Sequence, residues 1–306
     1  MENVHKAEYA ISENPYESIV VDITSRCNMS CNFCYNPTRS LPDMGVEHFE
    51  YVCRNLPFPV SMKLSGGEPT LHPNILDFIH IAHKYGHKVY IISNGTKYID
   101  PVFMNSLREL KKTGTTFSLG LSMDGGYTNK YAYEVINGED CSKQKLEAFN
   151  ALVSYRLARV CLTAIIVRGL NEDVIPQLIR LAKRHERVVR YIHFRNMGIK
   201  GVCINTEPYS IPYSIRELKE LVSQYFTEEE FRPKCIAEIH CLPESGNECC
   251  YRFRPTNRLQ ISIVEFDSEK SAMCPKRGRL VIGTDRLQPL FKSMKRVWKR
   301  GRIYSG

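Results

Sequence analysis

Three cysteines in one short stretch are the residues of this sequence with the clearest chemistry. Cys27, Cys31 and Cys34 follow the spacing Cys-x₃-Cys-x₂-Cys. Three thiolates so close in sequence can bind one metal centre, and closed zinc and iron–sulfur sites normally take four protein ligands. Three protein ligands leave one metal position open. The sequence therefore predicts a metal centre at which a substrate or a cofactor binds.

The elements around this stretch predict a parallel sheet. A strand at residues 18–23 precedes the cysteines, and strands then alternate with helices in roughly six units as far as residue 198. This alternation implies right-handed crossovers between parallel strands. The region is shorter than the ~250 residues of an eight-unit barrel. We expect an α/β fold, a partial (β/α)₆ TIM-like barrel with a small mixed C-terminal appendage.

The individual elements and three parts of the chain follow from the same pattern. We expect strands at residues 18–23, 60–64, 88–92, 117–121, 160–167 and 188–194, and helices at 46–56, 74–85, 101–112, 141–157 and 172–185. We divide the chain into an N-terminal arm (1–16), the barrel (17–204) and a C-terminal substrate-capping domain (205–306). In the last part we expect a helix at 214–226 with Ser214 as its N-cap, a strand at 258–266 and a helix near 287–299, the appendage lying across one end of the barrel.

Polar and glycine-rich segments follow the predicted strands. In parallel α/β folds the loops at the carboxyl ends of strands build the active site. We therefore expect the cysteine loop to share one mouth with Gly66-Gly67-Glu68-Pro69, Ser93-Asn94-Gly95, Ser122–Gly126, Arg168–Asn171 and Arg195–Gly198.

Composition limits the class of protein. The chain has 306 residues, 12 cysteines and a net charge of +9. Its start lacks the apolar core of a secretory signal and its apolar runs are too short to span a bilayer, so we expect a cytoplasmic protein with no membrane partner and reduced thiols. Cys53, Cys141, Cys161 and Cys203 are expected to be small buried side chains. The basic C-terminal segment suits an anionic partner, or it is a solvated basic helix.

These motifs together resemble the radical S-adenosylmethionine (SAM) superfamily. The cysteine spacing, with Phe33 before the last cysteine, is similar to that family's cluster signature, and Gly66–Pro69 is similar to its GGEP motif. Ser93–Gly95 and Ser122–Gly125 resemble the residues at its third and fourth strand ends. They favour the branch that contains the molybdenum-cofactor cyclase and the SPASM/twitch enzymes.

The resemblance implies a set of site residues. Cys27, Cys31 and Cys34 would bind three irons of a 4Fe–4S cluster, and SAM would chelate the fourth iron. Two glycines would let the backbone approach the methionine amino group, and an aromatic ring would lie against the adenine. The SAM pocket would be formed by Phe33, Gly66, Gly67, Glu68, Ser93, Asn94, Ser122, Asn171 and Met197. A turn cap at Glu68, and loop structure alone at Asn171 and Met197, are the alternatives.

The resemblance also implies a reaction. An electron enters the cluster, the C5′–S bond of SAM breaks, and the resulting 5′-deoxyadenosyl radical abstracts a hydrogen from a substrate. An acidic electron donor, similar to flavodoxin or ferredoxin, is expected to dock on the basic surface. The substrate is a small metabolite or a peptide. A phosphorylated or nucleotide substrate would use basic residues that line the barrel, namely Lys63, Arg168 and Arg195.

The C-terminal cysteines leave two alternatives. In the SPASM/twitch branch, C-terminal appendages carry further iron–sulfur clusters, and four ligands could come from Cys241, Cys249, Cys250 and Cys274, with Cys235 also near. No Cys-x₂-Cys pair is present among them. The alternative is that they are reduced thiols in a substrate-capping or twitch-like domain.

A zinc-stabilised module whose basic tail binds nucleic acid is the hypothesis from another class. It needs a fourth ligand for the three cysteines, and only His48 and Cys53 lie near them in sequence. It also leaves the glycine motifs at the strand ends unexplained. Nucleic acid is therefore not the partner that we expect.

Overall fold

The structure is a computed structural model that describes residues 9–34, 36, 39–198, 208–209, 211–233, 250–265 and 277–289. The strands in these ranges are β1 (Tyr9–Ala10), β2 (Ser18–Thr24), β3 (Ser61–Gly66), β4 (Lys88–Ile91), β5 (Phe117–Ser122), β6 (Arg159–Ile166), β7 (Val189–Asn196), β8 (Cys250–Phe253), β9 (Gln260–Val264), β10 (Arg277–Leu280) and β11 (Arg286–Pro289). The α-helices are α1 (Val46–Asn55), α2 (Ile75–Lys84), α3 (Pro101–Lys112), α4 (Lys130–Asn137), α5 (Ser142–Tyr155), α6 (Val174–Arg184), α7 (Ile215–Ser223) and α8 (Glu228–Phe231).

One sheet runs through the described part of the chain. Its strand order is β1-β11-β10-β2-β3-β4-β5-β6-β7-β9-β8. Strands β2 to β7 pair in parallel with their neighbours in chain order, and each consecutive pair is joined through at least one helix. The prediction of roughly six β–α units, in a partial TIM-like barrel, is confirmed.

The core lies between the sheet and its helices. On β2, Ile19, Val21 and Ile23 are fully buried, and on β3 so are Met62 and Leu64. These positions alternate with residues that face the other side of the sheet. Helix α1 contributes Phe49, whose ring packs edge-on against that of a phenylalanine on α2 with 4.4 Å between the ring centroids. The parallel strands are thus covered by the helices on one face.

Helix α4 was not predicted. It lies between β5 and α5, and its caps show why it forms. The Asn129 side chain accepts a hydrogen bond from the backbone N–H of Ala132, and Gly138 ends the helix at φ +86°. An asparagine cap and a glycine stop are ordinary helix signals. The helix between them has only eight residues, which is too short for a clear helical pattern in the sequence.

The segments beyond residue 205 extend the sheet at both of its edges. Strand β9 pairs in parallel with β7 and carries β8 outside it. Strand β10 pairs in parallel with β2, and β11 and β1 follow it. The strand expected at 258–266 is therefore β9, and it joins the barrel sheet. The boundaries of our three-part division stay a prediction.

The structure tests the two helices that we expected in the C-terminal part. Ser214 caps α7, as predicted. Its hydroxyl accepts a hydrogen bond from the backbone N–H of Glu217, and the Glu217 carboxylate accepts one from the backbone N–H of Ser214, which makes a capping box. The helix expected near 287–299 is wrong at its start, because Leu287 lies in β11 and pairs with Tyr9. Residues 290–299 lie outside the described residues. Among the described helices, none combines the length and the apolar character that crossing a membrane requires.

Candidate functional site

The cysteine loop begins directly after β2 and is closed at its base by Asp43. That carboxylate accepts a hydrogen bond from the Thr24 hydroxyl at 2.6 Å and forms an ion pair with Arg26 at 2.5 Å. The backbone N–H of Met44 also donates to the carbonyl of Ile23 at 2.8 Å. The loop therefore follows the first barrel strand, as predicted, and it also ends at the carboxyl end of that strand.

Each cysteine of the loop has a nitrogen donor near its sulfur. The Asn137 side chain lies 3.3 Å from the Cys31 sulfur, and the Arg39 guanidinium lies 3.4 Å from the Cys34 sulfur. The Asn94 side chain is 4.0 Å from the Cys27 sulfur, which is the longest of the three contacts. N–H donors favour the thiolate form of a cysteine, which is the form that binds metals.

Burial of the cysteines opposes the effect of these N–H donors on the thiol pKa. The three cysteines are half-buried, and loss of solvent raises the pKa of the Cys27 and Cys31 thiols. The Asn137 hydrogen bond is the largest of the influences that lower the pKa of Cys31. A metal that binds Cys27 and Cys31 must therefore displace the proton that burial favours on these two sulfurs.

The chemistry of the three sulfurs fits an iron–sulfur cluster. No three side chains of His, Cys, Asp or Glu in the described part of the chain come together closely enough for one metal ion. In a 4Fe–4S cluster each cysteine binds a different iron, so its ligands do not have to meet at one point. Half-buried thiols with N–H donors are the soft ligands that such clusters take.

The two glycines after β3 allow a close approach between two backbone segments. Gly66 has φ +133°, and the N–H of Gly67 donates to the Thr24 carbonyl at 2.8 Å. A side chain at Gly66 would strike Thr24, and one at Gly67 would strike the carbonyls of Ser25 and Arg26. The space beside these glycines is thus filled by the start of the cysteine loop. The approach of this backbone to the methionine amino group of SAM stays a prediction.

Glu68 ties two strand-end loops together. Its buried carboxylate accepts hydrogen bonds from the backbone N–H and hydroxyl of Thr70, from the Ser93 hydroxyl at 2.8 Å and from the Asn94 N–H at 2.7 Å. Burial raises the pKa of this carboxyl, and the four donors oppose that shift. The turn cap that we gave as the alternative is present, and it joins the loops after β3 and β4.

A buried lysine, which the sequence reasoning missed, joins the next two loops. Lys145 on α5 is 1% exposed, and its ammonium donates to the Asn94 carbonyl at 2.6 Å and to the Ser122 hydroxyl at 3.1 Å. Its positive charge also lowers the pKa of Cys31 and of Cys141. Burial outweighs this at Cys141 and raises the pKa of that thiol to about 11. Lys145 therefore places a cation beside the cysteine loop.

Phe33 and Met197 meet in one small apolar cluster. Both are buried, and they pack with Ala132, Ile136, Val167 and Leu170. The backbone N–H of Phe33 donates to the Ile136 carbonyl at 3.3 Å, which fixes the cysteine loop against α4. The structure thus brings together the residues that we predicted at the first and the sixth strand ends.

The Asn171 side chain forms hydrogen bonds with the backbone of two strand-end loops. It donates to the carbonyls of Asp124 and Ile165 and accepts from the N–H of Val167. These bonds hold the loop after β6 against the loop after β5. This is the alternative that we gave for it, loop structure.

Arg168 does not line the barrel, contrary to our expectation. Its guanidinium bonds the Glu217 carboxylate at 2.6 Å and lies 4.1 Å from the ring centre of Tyr213. It therefore holds α7 against the loop after β6. The backbone leaves β6 at residue 166, so the side chain of residue 168 no longer follows the alternation of the strand.

The cysteines outside the loop are only partly described. Cys53, Cys141 and Cys161 are buried, as predicted. The Cys53 sulfur lies 3.8 Å from that of Met62 in the core, so it is not directed at the cysteine loop as a fourth zinc ligand. Cys250 is buried at the start of β8. Cys203, Cys235, Cys241, Cys249 and Cys274 lie outside the described residues.

Comparison with known proteins agrees with this geometry. Over 237 residues the chain is 27% identical to the 7,8-dihydro-6-hydroxymethylpterin dimethyltransferase of Methanocaldococcus jannaschii, a match that covers 73% of this chain and 46% of that protein. It is 26% identical over 193 residues to the GTP 3',8-cyclase of Syntrophomonas wolfei, with coverages of 58% and 55%. The chain spans about half the length of these curated relatives.

A solved structure shows the same fold. The crystal structure of Streptococcus suis SuiB bound to S-adenosylmethionine has a TM-score of 0.59 to this chain at 14% identity, and the match covers 89% of this chain and 60% of that one. The similarity to a GTP 3',8-cyclase agrees with the predicted resemblance to the molybdenum-cofactor cyclase. The family model of the Radical SAM superfamily matches residues 21–182. This chain belongs to the Radical SAM superfamily, whose enzymes use a 4Fe–4S cluster and SAM.

Proposed function

We propose that this enzyme reductively cleaves SAM at a 4Fe–4S cluster held by Cys27, Cys31 and Cys34, and that it then abstracts a hydrogen from a small metabolite or a peptide in a biosynthetic pathway. One observation carries the proposal. Three half-buried cysteine sulfurs, each near a nitrogen donor, lie at the carboxyl edge of the parallel strands and beside the loop of Gly66 and Gly67. The bound cluster and SAM would supply the radical, and the protein would supply position and shelter from water.

The residues after β4 and β5 are the candidates for contact with SAM. Asn94 is half-buried and its amide also bonds Asn28 of the cysteine loop at 3.0 Å, so it lies at the border between that loop and the mouth of the barrel. The Ser122 hydroxyl is held by Lys145. We propose that Asn94 and Ser122 contact the ribose or the carboxylate of SAM.

The other predicted residues have indirect roles: they hold Asn94 and the strand-end loops in place, or they form a wall of the pocket. The bonds from Glu68 fix Ser93 and Asn94, so we propose a positioning role for Glu68 and Ser93. Asn171 positions the loop after β6 in the same way. Phe33 and Met197 form an apolar wall that would exclude water from the adenine end.

The electron donor is proposed to be an acidic protein similar to flavodoxin or ferredoxin. The net charge of +9 supports this, because opposite charges speed the encounter of two proteins. The rate of cluster reduction by such a donor should fall as the salt concentration rises.

An auxiliary cluster in the C-terminal part is the alternative that favours a peptide substrate. Its candidate ligands are Cys241, Cys249, Cys250 and Cys274. Cys274→Ala would lower the iron content per chain only if this cluster exists, and Cys53→Ala is the control because Cys53 is a buried thiol of the hydrophobic core. Unchanged iron would show that these cysteines are thiols of a capping domain.

Anaerobic reconstitution with iron and sulfide tests the cofactor assignment. We expect a brown protein that binds about four irons in the cluster of the cysteine loop and loses them when Cys27, Cys31 and Cys34 are all changed to Ala. A colourless protein that takes up zinc in place of iron would contradict the proposal and would support the zinc-stabilised module.

A further inference from the structure

Arg39 brings a cation to one sulfur of the cysteine loop. Its Nη1 atom donates a hydrogen bond to the Asn36 carbonyl at 2.5 Å, and its Nη2 atom lies 3.4 Å from the Cys34 sulfur. The chain just beyond Arg39 is fixed as well, because the Ser25 hydroxyl donates to the Leu41 carbonyl at 2.8 Å. Hydrogen bonds within the loop therefore hold the guanidinium beside the sulfur.

The Asn36 carbonyl couples Arg39 to metal binding at Cys34. The same oxygen accepts a hydrogen bond from the Cys34 thiol at 3.2 Å. A metal that binds Cys34 displaces the thiol proton, so this bond is lost and the oxygen would face the lone pairs of a thiolate. Arg39 satisfies both atoms, since one of its nitrogens bonds the oxygen and the other is placed to donate to the sulfur. The arrangement thus suits the metal-bound thiolate better than the thiol.

The positive charge of Arg39 is directed at a cysteine and not at an acid of the loop. From Ser25 to Pro42 the sequence has two arginines and no Asp, Glu or Lys. The other arginine, Arg26, forms an ion pair with Asp43 at the base of the loop, and half of its side chain is exposed. Arg39 instead bonds a carbonyl oxygen and a sulfur. Within this stretch of sequence, Arg39 is therefore the candidate counter-charge for a cluster.

The charge of Arg39 also reaches the other two cysteines. Burial lowers the pKa of the Arg39 guanidinium, but the hydrogen bond to Cys34 and the charges of all three cysteines outweigh burial and raise that pKa. Burial is likewise the main influence on the pKa of Cys27 and raises it, and the charge of Arg39 is among the influences that lower it. The guanidinium thus lies close enough to the three sulfurs to act on their common charge.

The nitrogen donors near the other two sulfurs are uncharged amides. Asn137 bonds the Cys31 sulfur, and the amide of Asn94 lies 4.0 Å from the Cys27 sulfur. A hydrogen bond from a charged donor is roughly twice as strong as one from a neutral donor. Reduction by one electron adds negative charge to a cluster and its thiolates, so a fixed cation beside a sulfur stabilises the reduced form more than the oxidised form. Of the three donors, Arg39 is therefore the one that favours reduction most.

We propose that Arg39 is a positioning residue for electron entry, whose guanidinium holds the Cys34 thiolate and raises the reduction potential of the bound cluster. This proposal rests on the proposed function and adds to the same site the residue that makes reduction easier. The one electron comes from the reduced donor protein, which is oxidised in the step. The guanidinium keeps its proton and its charge throughout.

A redox titration of the reconstituted enzyme, followed by electron paramagnetic resonance, tests the proposal. At a fixed applied potential, Arg39→Gln should lower the ratio of reduced to oxidised cluster about tenfold, which is a shift of about 59 mV to more negative potential for one electron. Arg39→Lys keeps the charge and should stay near the wild type.

Lys143→Gln is the control for the loss of one positive charge. Lys143 is exposed to water, which screens its charge, and it lies two residues from Cys141, which packs against the cysteine loop. Its loss should leave the potential unchanged. An unchanged potential in Arg39→Gln, or a shift in Lys143→Gln or in Arg39→Lys as large as that in Arg39→Gln, would overturn the proposal.

A second measurement decides the matter even if Arg39→Gln takes up no cluster. In the wild type made with isotope-labelled arginine, electron–nuclear double resonance of the reduced cluster should detect a guanidinium nitrogen. That coupling should disappear in Arg39→Lys. No coupling in the wild type, or a coupling that persists in Arg39→Lys, would contradict the contact with Cys34.

Formation of 5′-deoxyadenosine by the wild type is measured separately. If the wild type forms a cluster and 5′-deoxyadenosine while the potential does not depend on Arg39, only the role of Arg39 is wrong. A wild type that takes up no cluster would contradict the proposed function and this proposal with it.

Discussion

The side-chain amide of Asn137, at the end of α4, donates a hydrogen bond to the sulfur of Cys31 at 3.3 Å. Asn32 makes a second link between the same two elements, because its amide donates to the Val135 carbonyl at 3.0 Å without contacting a sulfur. With the bond from the Phe33 N–H to the Ile136 carbonyl, three hydrogen bonds join the helix to the cysteine loop, and the one from Asn137 reaches a ligand of the proposed cluster.

Asn137→Ala should make the reduction potential of the cluster more negative. A donor on a thiolate stabilises the reduced and more negative cluster, so its loss disfavours reduction. A difference of ~1 kcal/mol corresponds to about 40 mV for one electron. A redox titration followed by electron paramagnetic resonance measures it. Asn32→Ala should leave the potential unchanged, and an equal shift in both variants would show that only loop anchoring is involved.

Lys145→Met should weaken SAM binding about tenfold, or ~1.4 kcal/mol. Methionine keeps most of the volume but leaves the Asn94 carbonyl and the Ser122 hydroxyl without their donor. Equilibrium binding of SAM to the reconstituted enzyme measures the change. Lys143→Met is the matched control, since Lys143 is exposed on the same helix. Equal affinities in the two variants would remove Lys145 from the site.

Gly67→Ala should destabilise the protein by about 1–3 kcal/mol, even without cofactors, because the new methyl group would strike the carbonyls of Ser25 and Arg26. Thermal unfolding of the protein before reconstitution measures the loss. Gly45→Ala should cost much less, since nothing lies within 4 Å of its added methyl group. A stable Gly67→Ala protein that fails only in SAM binding would favour the explanation by approach to SAM.

Glu217 should make stability depend on pH in the acid range. Hydrogen bonds from Ser214 and then the Arg168 guanidinium lower the pKa of Glu217 from 4.5 to about 2. A lowered pKa in the folded state means that the contribution is complete above 4.5 and is lost as the pH falls from 4.5 through 2. Unfolding temperatures across that range should fall less steeply in Glu217→Gln than in Glu220→Gln. Parallel profiles would contradict the assignment.

Local signals in the sequence were enough for much of the fold and for the centre of the site. The three cysteines follow one apolar strand, and Gly66 and Gly67 lie at the end of the next. The parallel topology brings these two strand ends together. Pro101 and Ser214 marked helix starts because proline at the first position and a serine cap act within a few residues.

The missed features depend on contacts between distant residues. A buried lysine such as Lys145 gives no pattern in its own helix, since its acceptors come from the loops after β4 and β5. The pairing of Tyr9 with Leu287 joins the two ends of the described chain, and no local rule predicts it. Asn137 could have been found from its position one residue before the glycine that ends α4. Its contact with Cys31 could not.

Release of 5′-deoxyadenosine from SAM is the measurement that tests the central claim most directly. Under anaerobic reducing conditions the reconstituted wild type should form 5′-deoxyadenosine and methionine, and the variant with Cys27, Cys31 and Cys34 all changed to Ala should form neither. Cys53→Ala, which removes a buried thiol of the hydrophobic core, should retain the activity. Formation of 5′-deoxyadenosine by the triple variant at the rate of the wild type would contradict the account.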